Sequence, residues 1–231
     1  MKHPLILSLL LLLHTAAAGQ ETPQNLQITA DFLQVDPAAA VELTVGAKAP
    51  ANATECRAAL LKLLSDTKVT SLASVSLTTK SGQRATAESV QELVYPTEFN
   101  PAEGRGSHSP LVPATQSGVD IPTPTAFEMK PVGARVEVDP VVSADGKIID
   151  LNIAPELTRH YGYIPQQKLK TADGEQPTIE SPKIYSMKTA TAISLTDGGS
   201  GLAAVLHPPD EEGNADSTKR VLIFISVRVL K

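Results

Sequence analysis

Three histidines, His108, His160 and His207, and a single cysteine, Cys56, are the side chains with the widest chemical reach beyond the first 18 residues. A bound metal needs several such ligands at a set spacing. None of the three histidines has another His or a Cys at that spacing, so they read as exposed histidines beside loops. Ser, His and Asp are all present, but there is no G-x-S-x-G elbow to expose a nucleophilic serine. The run DGGSG at 197–201 invites comparison with a phosphate cradle. Such cradles join a strand to a helix N-terminus, whereas this one lies between two alternating segments and reads as a hairpin turn. The carboxylates Asp139, Asp145 and Asp150 lack the compact spacing and terminal Glu of a calcium loop. An enzyme would have to assemble a pocket from scattered residues such as Asp139, Asp150, His160 and Tyr161. No residue is assigned a catalytic, cofactor-binding or metal-binding role, and no cofactor is expected. Asn52-Ala53-Thr54 matches a glycosylation acceptor, relevant only in a eukaryotic secretory pathway.

Composition narrows the classes further. The chain opens with Lys2 and His3, an apolar run at 5–13 and then Ala16, Ala17 and Ala18, the pattern of a signal peptide over residues 1–18 with cleavage after Ala18. That run is far short of the ~20 residues a spanning helix needs. The remaining chain is about 210 residues long, enough for one domain or two small ones. One cysteine offers no internal disulfide, and Cys56 reads as a small buried apolar residue. A net charge of −5 with no basic stripe excludes nucleic acid as a partner. Aromatic residues are 3% of the chain, too few for the girdles of a conventional outer-membrane barrel.

The elements that would position any site are mostly strands. Leu26, Ile28, Ala30 and Phe32 alternate with polar residues and predict a first strand. Cys56, Ala59, Leu60, Leu63 and Leu64 have helical spacing, with Asn52 or Thr54 able to cap, and the helix ends near Asp66. Val69, Ser71, Ala73, Val75 and Leu77 form a strand up to the Ser81-Gly82 turn. The segment at 85–93 has helical propensity, but a hairpin partner to the preceding strand suits the turn better. Residues near 96–124 and near 163–182 are rich in Pro and polar residues and read as two long loops. Between them, Val132, Ala134, Val136 and Val138 share one face, and Ile149, Leu151 and Ile153 share another. A two-residue loop at Asp145-Gly146 would set Val138 opposite Ile153; a loop over 143–146 would set it opposite Leu151. A second hairpin is expected around the DGGSG turn, from Tyr185 through Leu195 to Leu202 and Leu206. Last comes RVLIFISVRVL, with five β-branched residues on one face and Leu222 and Phe224 on the other, the mark of a covered central strand.

Four pieces of the sequence, in order, resemble the C-terminal β-domain of bacterial secretins, the ring-forming channel subunits of type II and type III secretion and type IV pilus machinery. They are AALLKLLSDTKVTSLASVSLTTKSGQRA, PTAFEMKPVGARVEVDPVVSADGKIIDLNIAPE, KTATAISLTDG and RVLIFISVRVL. The second is the most specific, through Val132-Gly133, Pro140, Asp145-Gly146 and Glu156. The chain departs from the family pattern in several places. Leu206 is followed by HPPDEEGNADSTK where secretins carry V-P-x-L-G-x-I-P-x-x-G-x-L-F. Only Gly198, Gly199, Gly201 and Leu202 remain of a glycine-rich continuation, and Ser74-Val75-Ser76 lacks the usual proline. Residues 19–24 leave no room for the family's N-terminal periplasmic domains.

The resemblance implies a mainly β protein of antiparallel hairpins, with one N-terminal helix and long Pro-rich loops. Its organisation would be a strand and helix over 19–66 leading into a β-domain over 67–231. It implies a non-catalytic exported component related to secretion channels, in the periplasm or outer membrane of a Gram-negative-type bacterium. The implied partners are copies of itself or other channel subunits, with membrane association only through assembly. The other reading is a soluble periplasmic binding or adaptor module that keeps the β-domain without forming a pore.

Overall fold

The computed structural model describes residues 24–44, 52–64, 69–100, 123–168 and 178–230. They form two antiparallel sheets. The first joins β1 (Asn25–Val35), β2 (Thr70–Lys80), β8 (Ser200–Leu206) and β9 (Arg220–Leu230) in the order β2-β1-β9-β8. The second joins β3 (Ala85–Asn100), β4 (Thr123–Val142), β5 (Ile149–Lys168) and β6 (Thr178–Lys188) in chain order, with β7 (Thr191–Leu195) on the remaining stretch of β5. Two helices, α1 (Pro37–Thr44) and α2 (Ala53–Leu63), complete the described elements.

Strand β9 is apolar on both faces and lies between β1 and β8, as its sequence pattern predicts. Val221, Ile223, Ile225 and Val227 join Leu26, Ile28, Ala30 and Phe32 of β1 on the face turned to the second sheet. There they meet Val136, Val138, Leu151, Ile153, Leu157 and Met187. On the opposite face Leu222 and Phe224, with Leu33 and Val35, are covered by Ala40 of α1 and by Cys56 and Leu60 of α2. A side chain as large as Leu or Phe gains about 1.5–3 kcal/mol on full burial, so both faces of this sheet have to be covered for the fold to hold. Cys56 is part of that cover, and burial pushes its thiol pKa up, which suits a packing residue rather than a nucleophile.

Helix α2 starts where Glu55 donates its backbone N–H to Asn52 Oδ1 at 3.0 Å, so of the two candidate caps Asn52 is the one used. The helix is also tied down electrostatically. Asp31 of β1, 4% exposed, accepts from Arg57 Nε at 2.7 Å and from Ser74 Oγ of β2 at 2.7 Å. The carboxylate is held on the helix-facing side of the sheet, where an unpaired charge would be costly.

Several expectations need correction. Residues 85–100 are a strand, but β3 does not pair with β2: the Ser81-Gly82 turn passes the chain from one sheet to the other, and β3 pairs with β4. Likewise β7 and β8 are not hairpin partners, because the DGGSG turn carries the chain back from the second sheet to the first. Tyr185 to Leu195 is two strands, β6 and β7, rather than one. The expected loop near 163–182 is strand on both sides, through Lys168 and again from Thr178. The loop near 96–124 is likewise shortened by β3 running to Asn100 and β4 starting at Thr123. Helix α1 adds a second helix to the one expected. The β4–β5 hairpin takes the first of its two registers, with Val138 opposite Ile153. Its turn is closed by Ser143 N–H to the Ile148 carbonyl at 2.8 Å. Asp145 accepts there from Ser143 Oγ and Lys147 N, and these bonds lower its carboxyl pKa.

Replacing Arg57 with Ala would leave the Asp31 carboxylate buried without its cation. Stranding a buried charge costs about 3–5 kcal/mol, and the exposed part of Arg57 reduces that to about 2–4 kcal/mol here. Urea unfolding followed by circular dichroism should show that loss in the Arg57→Ala variant.

Candidate functional site

The carboxylates and histidines singled out from sequence do not meet. Asp139 is opposite Asn152, and Asp150 accepts from Ser194 Oγ on β7. His160 lies ten residues along β5 from Asp150, about 33 Å at 3.3 Å per residue. Its ring packs edge-on against Tyr163, 4.9 Å between centroids. His207 begins the β8–β9 connection, where Nδ1 is 3.1 Å from an Arg220 guanidinium nitrogen and 3.2 Å from the Asp216 carbonyl. His108 lies outside the described residues. A groove of about 450 Å³ runs over β4, β5 and β7, with Arg84, Glu137, Asp139, Asn152 and Thr191 along it. Of the four residues an enzymatic site would need, only Asp139 borders it. Among the described residues no group of three or more His, Cys, Asp or Glu side chains could hold a metal. The DGGSG turn spends its polar groups on the chain itself. Gly198 N–H donates to the Val227 carbonyl, Gly199 N–H to Thr196, and Asp197 Oδ1 accepts from Val229 N at 2.8 Å.

What the second sheet does offer is strand surface. The β4–β5 ladder runs from Val142 opposite Ile149 to Gly133 opposite Thr158 and stops there. Strands β3 and β4 stay paired far beyond it, to Asn100 opposite Thr123, and β5 and β6 to Lys168 opposite Thr178. The sheet therefore divides into two two-stranded arms. An isolated two-stranded ribbon is marginal in water, because each strand lacks one set of ladder partners and neither face is covered. Prolines accumulate on these arms, at Pro96, Pro124, Pro131, Pro165 and Pro182, as befits strands with an unpaired side.

A glycine lies at or just beyond the point where each arm departs. Gly133 has φ +142°, and a Cβ there would overlap the Ser89 carbonyl oxygen and lie 2.8 Å from Val90 Cα. Only glycine allows β3 and β4 to stay this close where β4 leaves β5. In β5 the register with β6 slips between His160 and Tyr163, at Tyr161 and Gly162, and Gly162 has φ +82°.

The arms carry the most exposed large apolar residues of the sheet. On the first, Val94 is opposite Met129 and Pro96 opposite Phe127, so these side chains share one face, with Val94, Phe127 and Met129 more than half exposed. The other face pairs Tyr95 with Glu128, and the phenol donates to Glu128 Oε2 at 2.9 Å. That bond holds the tyrosine pKa above its usual value. Tyr163 and Ile164 are the exposed apolar pair on the second arm. Nearer the core the outward face is charged, with Glu137 paired to both Arg84 and Arg135, and Arg135 near Glu88 at 3.7 Å. The apolar face from Pro131 to Phe127 is about 13 Å tall, roughly half the ~25 Å band of a membrane barrel.

The sequence model of the secretins, described as bacterial type II and III secretion system protein, matches residues 62–202, more than half of the 231. The chain belongs to the secretin family. The match takes in both arms and both departing glycines and ends at Leu202 inside β8, so the acidic connection and β9 lie beyond it. Solved secretin structures are among those the chain is similar to, at low identity. The type II secretin GspD of enteropathogenic Escherichia coli is 12% identical, with a TM-score of 0.45 over 91% of this chain and 70% of that one. The InvG secretin domain of the Salmonella SPI-1 injectisome is 12% identical, TM-score 0.43, over 90% and 64%. The V. cholerae type IV competence pilus secretin PilQ is 12% identical, TM-score 0.44, over 90% and 61%. This secretin thus spans about two thirds of the length of those chains. No curated protein matches it.

Gly133→Ala should cost at least about 3 kcal/mol, through the overlap and the positive φ together. Gly146→Ala, at φ +69° with nothing within 4 Å of the new methyl, should cost only about 1 kcal/mol. Thermal unfolding of the two variants side by side measures the difference.

Proposed function

We propose that this secretin is a non-catalytic, exported component of a secretion-channel assembly, and that it works by joining strand edges between subunits. The observation that carries the reading is the pair of two-stranded arms beyond Gly133 and Gly162. Among the described strands β3 has one ladder partner, β4, and β6 has one, β5, so each carries a side with no ladder partner there. In an antiparallel ring, β3 of one copy meets β6 of the next, and each arm gains hydrogen bonds along its outer edge. The leader-like start at 1–18 and the family support an envelope location, in the periplasm or at the outer membrane.

A second reading is favoured by two observations. The apolar face of the first arm is short for a bilayer, and the β8–β9 connection is a short acidic loop in place of the family's motif. These features suit a periplasmic adaptor that pairs with other channel subunits rather than lining a pore itself. Both readings use the same strand edges and differ in the partner.

Single cysteines placed along β3 between 88 and 94, and along β6 between 180 and 186, in a chain with Cys56→Ser, test the edge pairing. Mixed pairwise, they should form intermolecular disulfides in one register that steps along both strands together. Disulfides at no pair, or at all pairs alike, would contradict it.

A further inference from the structure

The connection between β8 and β9, residues 207–219, lies beyond the family match, and the structure gives it a definite shape and place. It folds on itself first. Pro209 bridges to Ala215, Asp210 N–H donates to the Asn214 carbonyl at 2.7 Å, and Asp210 Oδ1 accepts from Asn214 N at 2.7 Å. Asp216 closes the return by accepting from both Thr218 N–H and Thr218 Oγ, which holds its carboxyl pKa low. The result is a small preformed hairpin on the first sheet.

That hairpin then reaches across to the second sheet. Tyr185 of β6 donates its hydroxyl to the His207 carbonyl at 3.1 Å, and Lys183 Nζ donates to Asn214 Oδ1 at 2.9 Å. At its tip Gly213, buried and with φ +77°, sits against the ring of Tyr161; a Cβ there would be 2.7 Å from Tyr161 Cβ and Cγ. Tyr161 and Gly162 are the two residues at which β5 slips register and its arm leaves the core. All three contacts therefore fall at the root of the second arm. The first arm leaves at Gly133, packed directly on its hairpin partner β3.

We propose that the β8–β9 connection is a strap that fixes the direction of the β5–β6 arm, with Gly213 seated on Tyr161 as its catch. A bulge with a positive-φ glycine is a point where a ribbon bends easily. The strap removes that freedom by holding the bulge itself, at Tyr161, and the facing stretch of β6, at Lys183 and Tyr185, against the first sheet's connection. The device acts within one chain, so it operates in a single copy and in an assembly alike. It also places the acidic connection against its own β5 and β6.

Hydrogen exchange on the full exported chain, read by mass spectrometry, tests the strap. In Gly213→Val, and in Lys183→Ala combined with Asn214→Ala, the amides of 163, 164, 166 and 179–181 should exchange about tenfold or more faster than in the parent. Amides of β1, β9 and residues 134–138 of β4 should be unchanged. The paired alanine variant removes two exposed hydrogen bonds, Lys183 to Asn214 and Asn214 to Glu212, and leaves the core intact, so it carries the test should the valine variant not fold. Arm amides unchanged in the variants that fold, or acceleration spread evenly over both sheets, would overturn the proposal.

Discussion

The structure depends on one sheet that is apolar on both faces. Strands β1 and β9 present Ile28, Phe32, Ile223 and Ile225 to one side and Leu33, Leu222 and Phe224 to the other. Two covers are required, and the chain supplies one from each direction. The second sheet closes the first face, and the two short helices close the second, with the Asp31–Arg57 pair fixing α2 in place. The order β2-β1-β9-β8, which brings the two ends of the described chain together in one sheet, follows from that demand.

The second sheet is asymmetric along its strands for the same reason. Only its lower half has a partner face. There Val136, Val138, Leu151 and Ile153 are buried and the opposite face is charged. Past Gly133 and Gly162 the strands continue as ribbons on which Val94, Phe127, Met129 and Tyr163 are each more than half exposed. A sheet that is half core and half ribbon is what the proposed joining of strand edges between subunits would extend, in a chain of the secretin family.

The half with a core was legible in the sequence because burial on one face imprints alternation. Val132 to Val138, Ile149 to Ile153 and the doubly apolar β9 were readable as strands, and the register of Val138 on Ile153 was one of two the turn allowed. The arms were not, since a strand exposed on both faces has no pattern to read; residues 163–168 and 178–182 looked like loop because their Gln, Lys, Glu and Pro carry no apolar alternation. Turn residues announced chain reversal at Ser81-Gly82 and Asp197–Gly201, but nothing local tells whether the next strand pairs back or crosses to another sheet. Helix α1 was hidden in an Ala-rich stretch, although Asp36-Pro37 is a readable start signal. Gly133 stood out only as part of a family-like pair, and its reason, the closeness of Ser89 and Val90, is tertiary. The seat of Gly213 on Tyr161 left no trace in either local segment.

Sharing of the second sheet's free edges between subunits is what joins this fold to its proposed role. It is tested most directly by the mass and shape of the full exported chain, from size analysis with and without detergent followed by electron microscopy. Shared edges predict large closed assemblies in which the ribbons form a continuous wall. A monodisperse single chain under every condition, with the arms still folded, would contradict them.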